Sequence, residues 1–122
     1  MLRENLSRPL IATMSPAPRY EVVLKPSRAK GKKLAAVLYR GGRKEKTVNF
    51  GAAGMEDYTT HRDPERKERY LARHRSRENW GASGVTTPGF WARWILWSEP
   101  SLPAAIRETS RKFGLEIRYL PG

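Results

Sequence analysis

Hydrophobic and polar positions alternate in short runs at both ends of this chain and change to a helical spacing in its middle. Tyr20 to Leu24 is rich in β-branched and aromatic residues and predicts a strand. Leu34 to Tyr39 is apolar at nearly every position, the pattern of a strand buried on both faces or nearly so. Lys44 to Phe50 alternates, with Val48 and Phe50 inward and Thr47 and Asn49 outward. Arg40-Gly41-Gly42-Arg43 joins these two strands as a hairpin, because paired glycines accept the positive φ of primed turns. Leu115 to Leu120 alternates again as a final strand, with Leu115, Ile117 and Tyr119 on one face.

Between the strands, the spacing and the caps predict helices. Asp63 caps a helix whose first turn holds Pro64 and Glu65 and which runs to about Arg75. Tyr70, Leu71 and His74 form its narrow apolar stripe, Lys67 lays its stem along that stripe, and Glu65 is spaced to pair with Arg69. Ser101 caps a second helix over Leu102–Phe113, with Leu102, Ile106, Thr109 and Phe113 inward and Gly114 at the left-handed C-terminal position. Met55 to Arg62 reads as an ordered connection with Asp57 as a turn cap, and Asn79 to Gly84 as a turn that carries Trp80.

The most apolar stretch is Thr87-Pro88-Gly89-Phe90-Trp91-Ala92-Arg93-Trp94-Ile95-Leu96-Trp97. Thr87 caps it, Pro88 suits its first turn, and Arg93 is its one charge. As an α-helix it places Phe90, Trp94 and Trp97 on one face, broadened by Trp91, Ile95 and Leu96. An aromatic side chain buries roughly 150–250 Å², so this segment, with Trp80 beside it, is the expected core; the alternative is an aromatic surface for a partner. The order is β-β-β-α-α-α-β, an α+β fold in which a small antiparallel sheet, a three-stranded meander plus a C-terminal strand, packs on about three short helices. Ser15-Pro16-Ala17-Pro18 is stiff and extended, so residues 1–18 form an N-terminal arm and residues 19–122 one α+β domain.

Composition adds a partner to this picture. The 122 residues carry 24 Lys+Arg against 12 Asp+Glu, a net charge of +12. So much like charge repels itself and favours an acidic partner. The absence of cysteine removes disulfides, thiolate catalysis and cysteine-type zinc sites. No run approaches the roughly 20 apolar residues of a membrane helix, and Met1 to Thr13 lacks the unbroken apolar centre of a secretory signal.

The charge is concentrated. Nine basic residues (Lys25, Arg28, Lys30, Lys32, Lys33, Arg40, Arg43, Lys44 and Lys46) lie between positions 25 and 46, against Glu45 as the one acid. They flank a structured hairpin and read as a contact surface for phosphates or carboxylates, the alternative being a solvated loop and hairpin tip. Arg69, Arg73 and Arg77 repeat on one helix face, a row suited to phosphates spaced along a backbone.

Catalytic chemistry has little to stand on. Gly51-Ala52-Ala53-Gly54 lacks the lysine, serine and spacing of a phosphate-binding loop. His61 and His74, with Asp57, Asp63, Glu65 or Glu68, are the one cluster able to suggest a metal-dependent nuclease. Asp63 is better used as a helix cap and His74 as a packing residue, so no metal, cofactor or small-molecule substrate is expected.

Phe50-Gly51, Asp57-Tyr58-Thr59 with His61 and Asp63, Glu65-Arg66-Lys67, Tyr70, Arg73-His74, Glu78-Asn79-Trp80, the run Thr87 to Trp97 and Pro100-Ser101-Leu102 follow one another in a recognisable order. Over roughly Tyr20 to Phe113 the chain resembles a family of small basic proteins encoded by large nucleocytoplasmic DNA viruses of algae and amoebae. The resemblance implies a viral setting and supplies no mechanism; a place in the virion follows from small size and basicity.

The expected function is therefore a non-enzymatic basic structural protein that contacts nucleic acid through its Lys/Arg-rich hairpin and helix. One alternative is an internal minor capsid (cement) protein, with a tryptophan-rich face and the arm wedged between shell subunits and the basic loop on acidic capsid surfaces. Another is a basic protein of an organelle ribosome.

Overall fold

The computed structural model describes residues 19–122; the arm expected over residues 1–18 lies outside the described residues. Strands β1 (Glu21–Pro26), β2 (Lys32–Arg40), β3 (Arg43–Ala52) and β4 (Glu116–Tyr119) form one sheet in the order β3-β2-β1-β4. The first three make the antiparallel meander, turned at Gly41 and Gly42, whose φ angles of 60° and 80° suit a primed turn. β4 joins the sheet parallel to β1, so the sheet is mixed.

Register follows the apolar pattern. Leu24 faces Ala36, which faces Val48, and Leu34 faces Phe50. With Val22 and Leu38 these residues line the face that packs into the core. Ala35 and Val37 on the opposite face are also buried, as the unbroken apolar run of β2 predicts. A bulge where β3 passes Leu38 and Tyr39 leaves Glu45 as an extra residue.

The connection at Met55–Arg62 is more regular than its sequence suggests. It contains a one-turn helix, α1 (Tyr58–His61), closed by a reciprocal cap: Asp57 accepts from the Thr59 backbone N–H, and the Thr60 hydroxyl accepts from the Asp57 backbone N–H. Arg62 in the left-handed conformation (φ 56°) ends α1, and Asp63 caps α2 (Pro64–His74). A short 3₁₀ turn over Ala82–Gly84 leads to α3 (Pro88–Trp91), capped by Thr87. The last helix, α4 (Leu102–Phe113), starts at Ser101 and ends at left-handed Gly114.

The tryptophan segment departs from the expected α-helix. After one α-turn it widens into a π-helix over Ala92–Leu96, where the Trp97 N–H donates to the Ala92 carbonyl at 3.1 Å. The sheet explains the change. Phe90, Trp91, Ile95 and Leu96 are all buried against it, yet residues five apart on an α-helix point about 140° away from one another. A wider turn brings both pairs to the same side. Trp94 and Trp97, expected on the core face with Phe90, are instead turned toward the flanks and half-buried: Trp94 meets Phe113 of α4, Trp97 meets Tyr70 of α2. The π-turn also alters the carbonyl hydrogen bonding, and the Trp94 carbonyl accepts from the buried Ser98 hydroxyl at 2.6 Å. The Thr109 hydroxyl, which donates to Ala105 at 2.7 Å, lies 3.2 Å from the same Trp94 oxygen.

Candidate nucleic-acid interface

The basic run from Lys25 to Lys46 is one stretch in the sequence and two places in the fold. The β1–β2 loop is pinned by its own hydrogen bonds. Ser27 Oγ donates to Asn49 Oδ1 (2.6 Å) and accepts from the Ala29 N–H (2.9 Å), and Gly31 takes φ 79°. It holds Arg28 and Lys30 exposed at one end of the sheet, beside exposed Lys32 at the start of β2. Arg43 and Lys44 are exposed at the hairpin on the opposite end. The nine residues of β2 separate the two ends, about 26 Å at the usual strand rise. Lys25, half-buried, sits on the sheet face in register with Ala35.

Three of the nine cations are committed to the protein itself. Lys33 Nζ contacts Asp57 Oδ2 at 2.6 Å and donates to the Met55 carbonyl at 2.6 Å, which ties β2 to the cap of α1. Arg40 lies over the Tyr20 ring (4.2 Å) and 3.7 Å from the bulged Glu45, which accepts the Tyr20 hydroxyl at 3.0 Å. Lys46 Nζ donates to the Thr86 carbonyl at 2.9 Å. These residues join elements; Lys25, Arg28, Lys30, Lys32, Arg43 and Lys44 are the cations of the run not so engaged among the described residues.

The arginine row changes as well. Arg69 and Arg73 are exposed on α2, but the helix ends at His74, and Arg77 sits in the following turn with its guanidinium donating to the Arg73 carbonyl at 3.2 Å. Among the described residues Glu65 makes no ion pair with Arg69; the acid partner on this side is Glu56, 3.0 Å from Arg66. A groove of about 420 Å³ runs between the Lys32 end of the sheet and α2, with Lys32 and Arg73 on its lining. Lys32 and Arg73, far apart in the chain, thus line one groove.

An aromatic stack stands behind this groove. Trp97 lies on Tyr70 and Tyr70 on His74, with ring centroids 4.3 and 4.2 Å apart. Burial pushes the Tyr70 phenol well above its usual range. His74 Nδ1 lies 2.8 Å from Glu78 Oε2, and the other Glu78 oxygen accepts from Trp80 Nε1 at 2.9 Å. His61 Nδ1 accepts the Asp63 N–H at 2.9 Å while its ring rests against Trp97. Each histidine and Asp63 is thus engaged in capping or packing, and among the described residues no three His, Asp or Glu side chains converge as a metal site.

A further set of cations has partners that the sequence pattern does not name. Arg93, Lys67 and Arg62 donate to the carbonyls of Trp97 (3.1 Å), Ser98 (2.8 Å) and Pro100 (3.0 Å), in the connection between the π-helix and α4. Arg93 also stacks between Trp94 (4.1 Å) and Trp80 (5.3 Å). Burial, then the charge of Arg93, lowers the pKa of Lys67, and burial lowers that of Arg93. Arg93 as the one charge in an apolar run is the signal the sequence offers; Trp94 and Trp97 lie within four residues of it, whereas the fold brings Ser98 to Lys67 and Pro100 to Arg62.

Of the expected core, Phe90 and Trp91 are fully buried and Trp80, Trp94 and Trp97 half-buried. Among the described residues no helix is long and apolar enough to cross a membrane. Neither the curated proteins nor the solved structures include a match to this chain. Residues 22–74, the meander through the end of α2, are similar to a family described as a family of unknown function (DUF5754), a stretch that holds the basic run and Arg69 and Arg73 and stops short of Arg77 and the tryptophan segment.

Proposed function

We propose that this protein is a non-enzymatic binding protein for nucleic acid, gripping the phosphate backbone with the cations at the two ends of its sheet. The observation that carries the reading is the exposure of Arg28, Lys30, Lys32, Arg43, Lys44, Arg69, Arg73 and Arg77, none of which has an acidic partner within 4 Å among the described residues. Arginine and lysine held on pinned turns and a helix neutralise phosphates without reading bases, which makes binding tolerant of sequence and sensitive to salt. In a large DNA virus, whose small basic proteins the chain resembles, this is a role inside the particle, on the genome.

The test is a binding titration with a fluorescent oligonucleotide at rising salt. Affinity is expected to fall linearly on a log–log scale; salt-independent binding, or none, removes the reading. The cement-protein alternative draws less support: Trp91 is fully buried and Trp97 is stacked on Tyr70, so neither stands free as an anchor for a shell partner. Crosslinking in purified particles separates the two, with genome captured under the first and shell protein under the second.

A further inference from the structure

The groove between the sheet end and α2 is more than a place where cations meet. Its volume of about 420 Å³ falls within the roughly 300–1,000 Å³ typical of small-molecule sites. Its apolar lining comes from Leu96, Tyr70, Trp97 and Met55. Met55 is 65% exposed, the most exposed large hydrophobic residue among those described. Its backbone is nevertheless fixed on both sides, by its N–H to the Ala52 carbonyl (3.2 Å) and by Lys33 Nζ to its own carbonyl (2.6 Å). Met55 thus presents an exposed thioether on the groove lining from a backbone held on both sides.

The charges at the groove have a definite balance. Three acids reach it, and each is answered within the protein: Asp57 by Lys33, Glu56 by Arg66, and Glu78 by His74 and Trp80. Lys32 and Arg73 remain on the lining with no acid within 4 Å among the described residues. A groove with apolar and aromatic residues and two cations unanswered by any acid on its lining suits a flat aromatic group that carries phosphates.

Resting on the nucleic-acid reading above, we infer that this groove receives one unpaired base of a single strand, stacked against Met55, with its flanking phosphates on Lys32 and Arg73. A duplex keeps its bases stacked inside and presents phosphates alone, so it reaches the cations and leaves the slot empty.

The experiment compares a single-stranded DNA 20-mer, a single-stranded RNA 20-mer and a duplex DNA 20-mer by fluorescence anisotropy at one salt concentration. Single strands are expected to bind roughly tenfold tighter than the duplex, and the tighter of DNA and RNA identifies the sugar. M55A is expected to weaken single-strand binding roughly fivefold and M55E more, with duplex binding unchanged by M55A. Because Met55 is exposed, both variants should keep the wild-type circular dichroism spectrum and melting temperature. Equal or tighter duplex binding, or single-strand affinity indifferent to both variants, overturns the base-slot inference and leaves the nucleic-acid reading standing. Binding to none of the three oligomers overturns both.

Discussion

The indole of Trp97 lies flat on the phenol ring of Tyr70, with centroids 4.3 Å apart and planes 4° from parallel. This contact, with the Lys67 hydrogen bond to the Ser98 carbonyl, joins the end of the π-helical segment to α2, the helix that carries Arg69 and Arg73. W97A should cost about 2–3 kcal/mol, near the lower limit for removing a large aromatic because the ring is half-buried. Urea denaturation measures it, and W97F should recover most of the loss.

Tyr70 also sets an alkaline limit. Burial raises its folded-state pKa above the ordinary value of 10.0, so the folded protein favours the neutral phenol and the unfolded chain ionises first. Stability from this group is intact below about pH 10 and is lost as pH rises beyond it. Denaturation midpoints should therefore decline above that pH, and the decline should shrink in Y70F. A tyrosine absorbance titration that shows every phenol ionising together without unfolding would contradict this.

Gly84 is required by space. A Cβ there would sit 2.0 Å from the backbone carbonyl oxygen of Asn79, whereas at Gly81 the nearest atom is 3.5 Å away. G84A should destabilise by about 3 kcal/mol, the upper range for overpacking. G81A should change stability by less than about 0.5 kcal/mol. Thermal melts of the two variants make the comparison.

The split of the basic run has a length signature. Replacing Arg28, Lys30 and Lys32 together by alanine should reduce the log–log salt slope by about 2–3, roughly one for each phosphate no longer neutralised. Replacing Arg43 and Lys44 should reduce it by up to about 2, but only with duplexes longer than about eight base pairs, since shorter ones cannot span about 26 Å. R111A, which removes a cation already paired with Glu108, should leave the slope unchanged.

Local rules account for much of this protein. Asp63, Thr87 and Ser101 cap their helices, Gly41-Gly42 turns the hairpin, Gly114 closes α4, and Val48 and Phe50 face inward. Each depends on chemistry within a few residues. The one-turn α1 is not legible in the same way, because its evidence is a single reciprocal cap, Asp57 with Thr60, and four residues offer no periodicity.

What the sequence determined by itself is the inventory: four alternating or apolar strand runs, capped helices, an aromatic segment for the core, and an excess of twelve positive charges. What the tertiary structure decided is how that inventory is used. The sheet requires residues 90, 91, 95 and 96 on one side, which an α-helix cannot provide, so the segment widens to π. β2 carries one end of the basic run away from the other, because a strand is extended. Lys33, Arg40, Lys46, Lys67 and Arg93 are engaged by carbonyls, carboxylates or ring faces, most of them distant in the chain. A charge is legible from its residue type, but whether it is used inside the protein depends on which acceptor folding brings within reach.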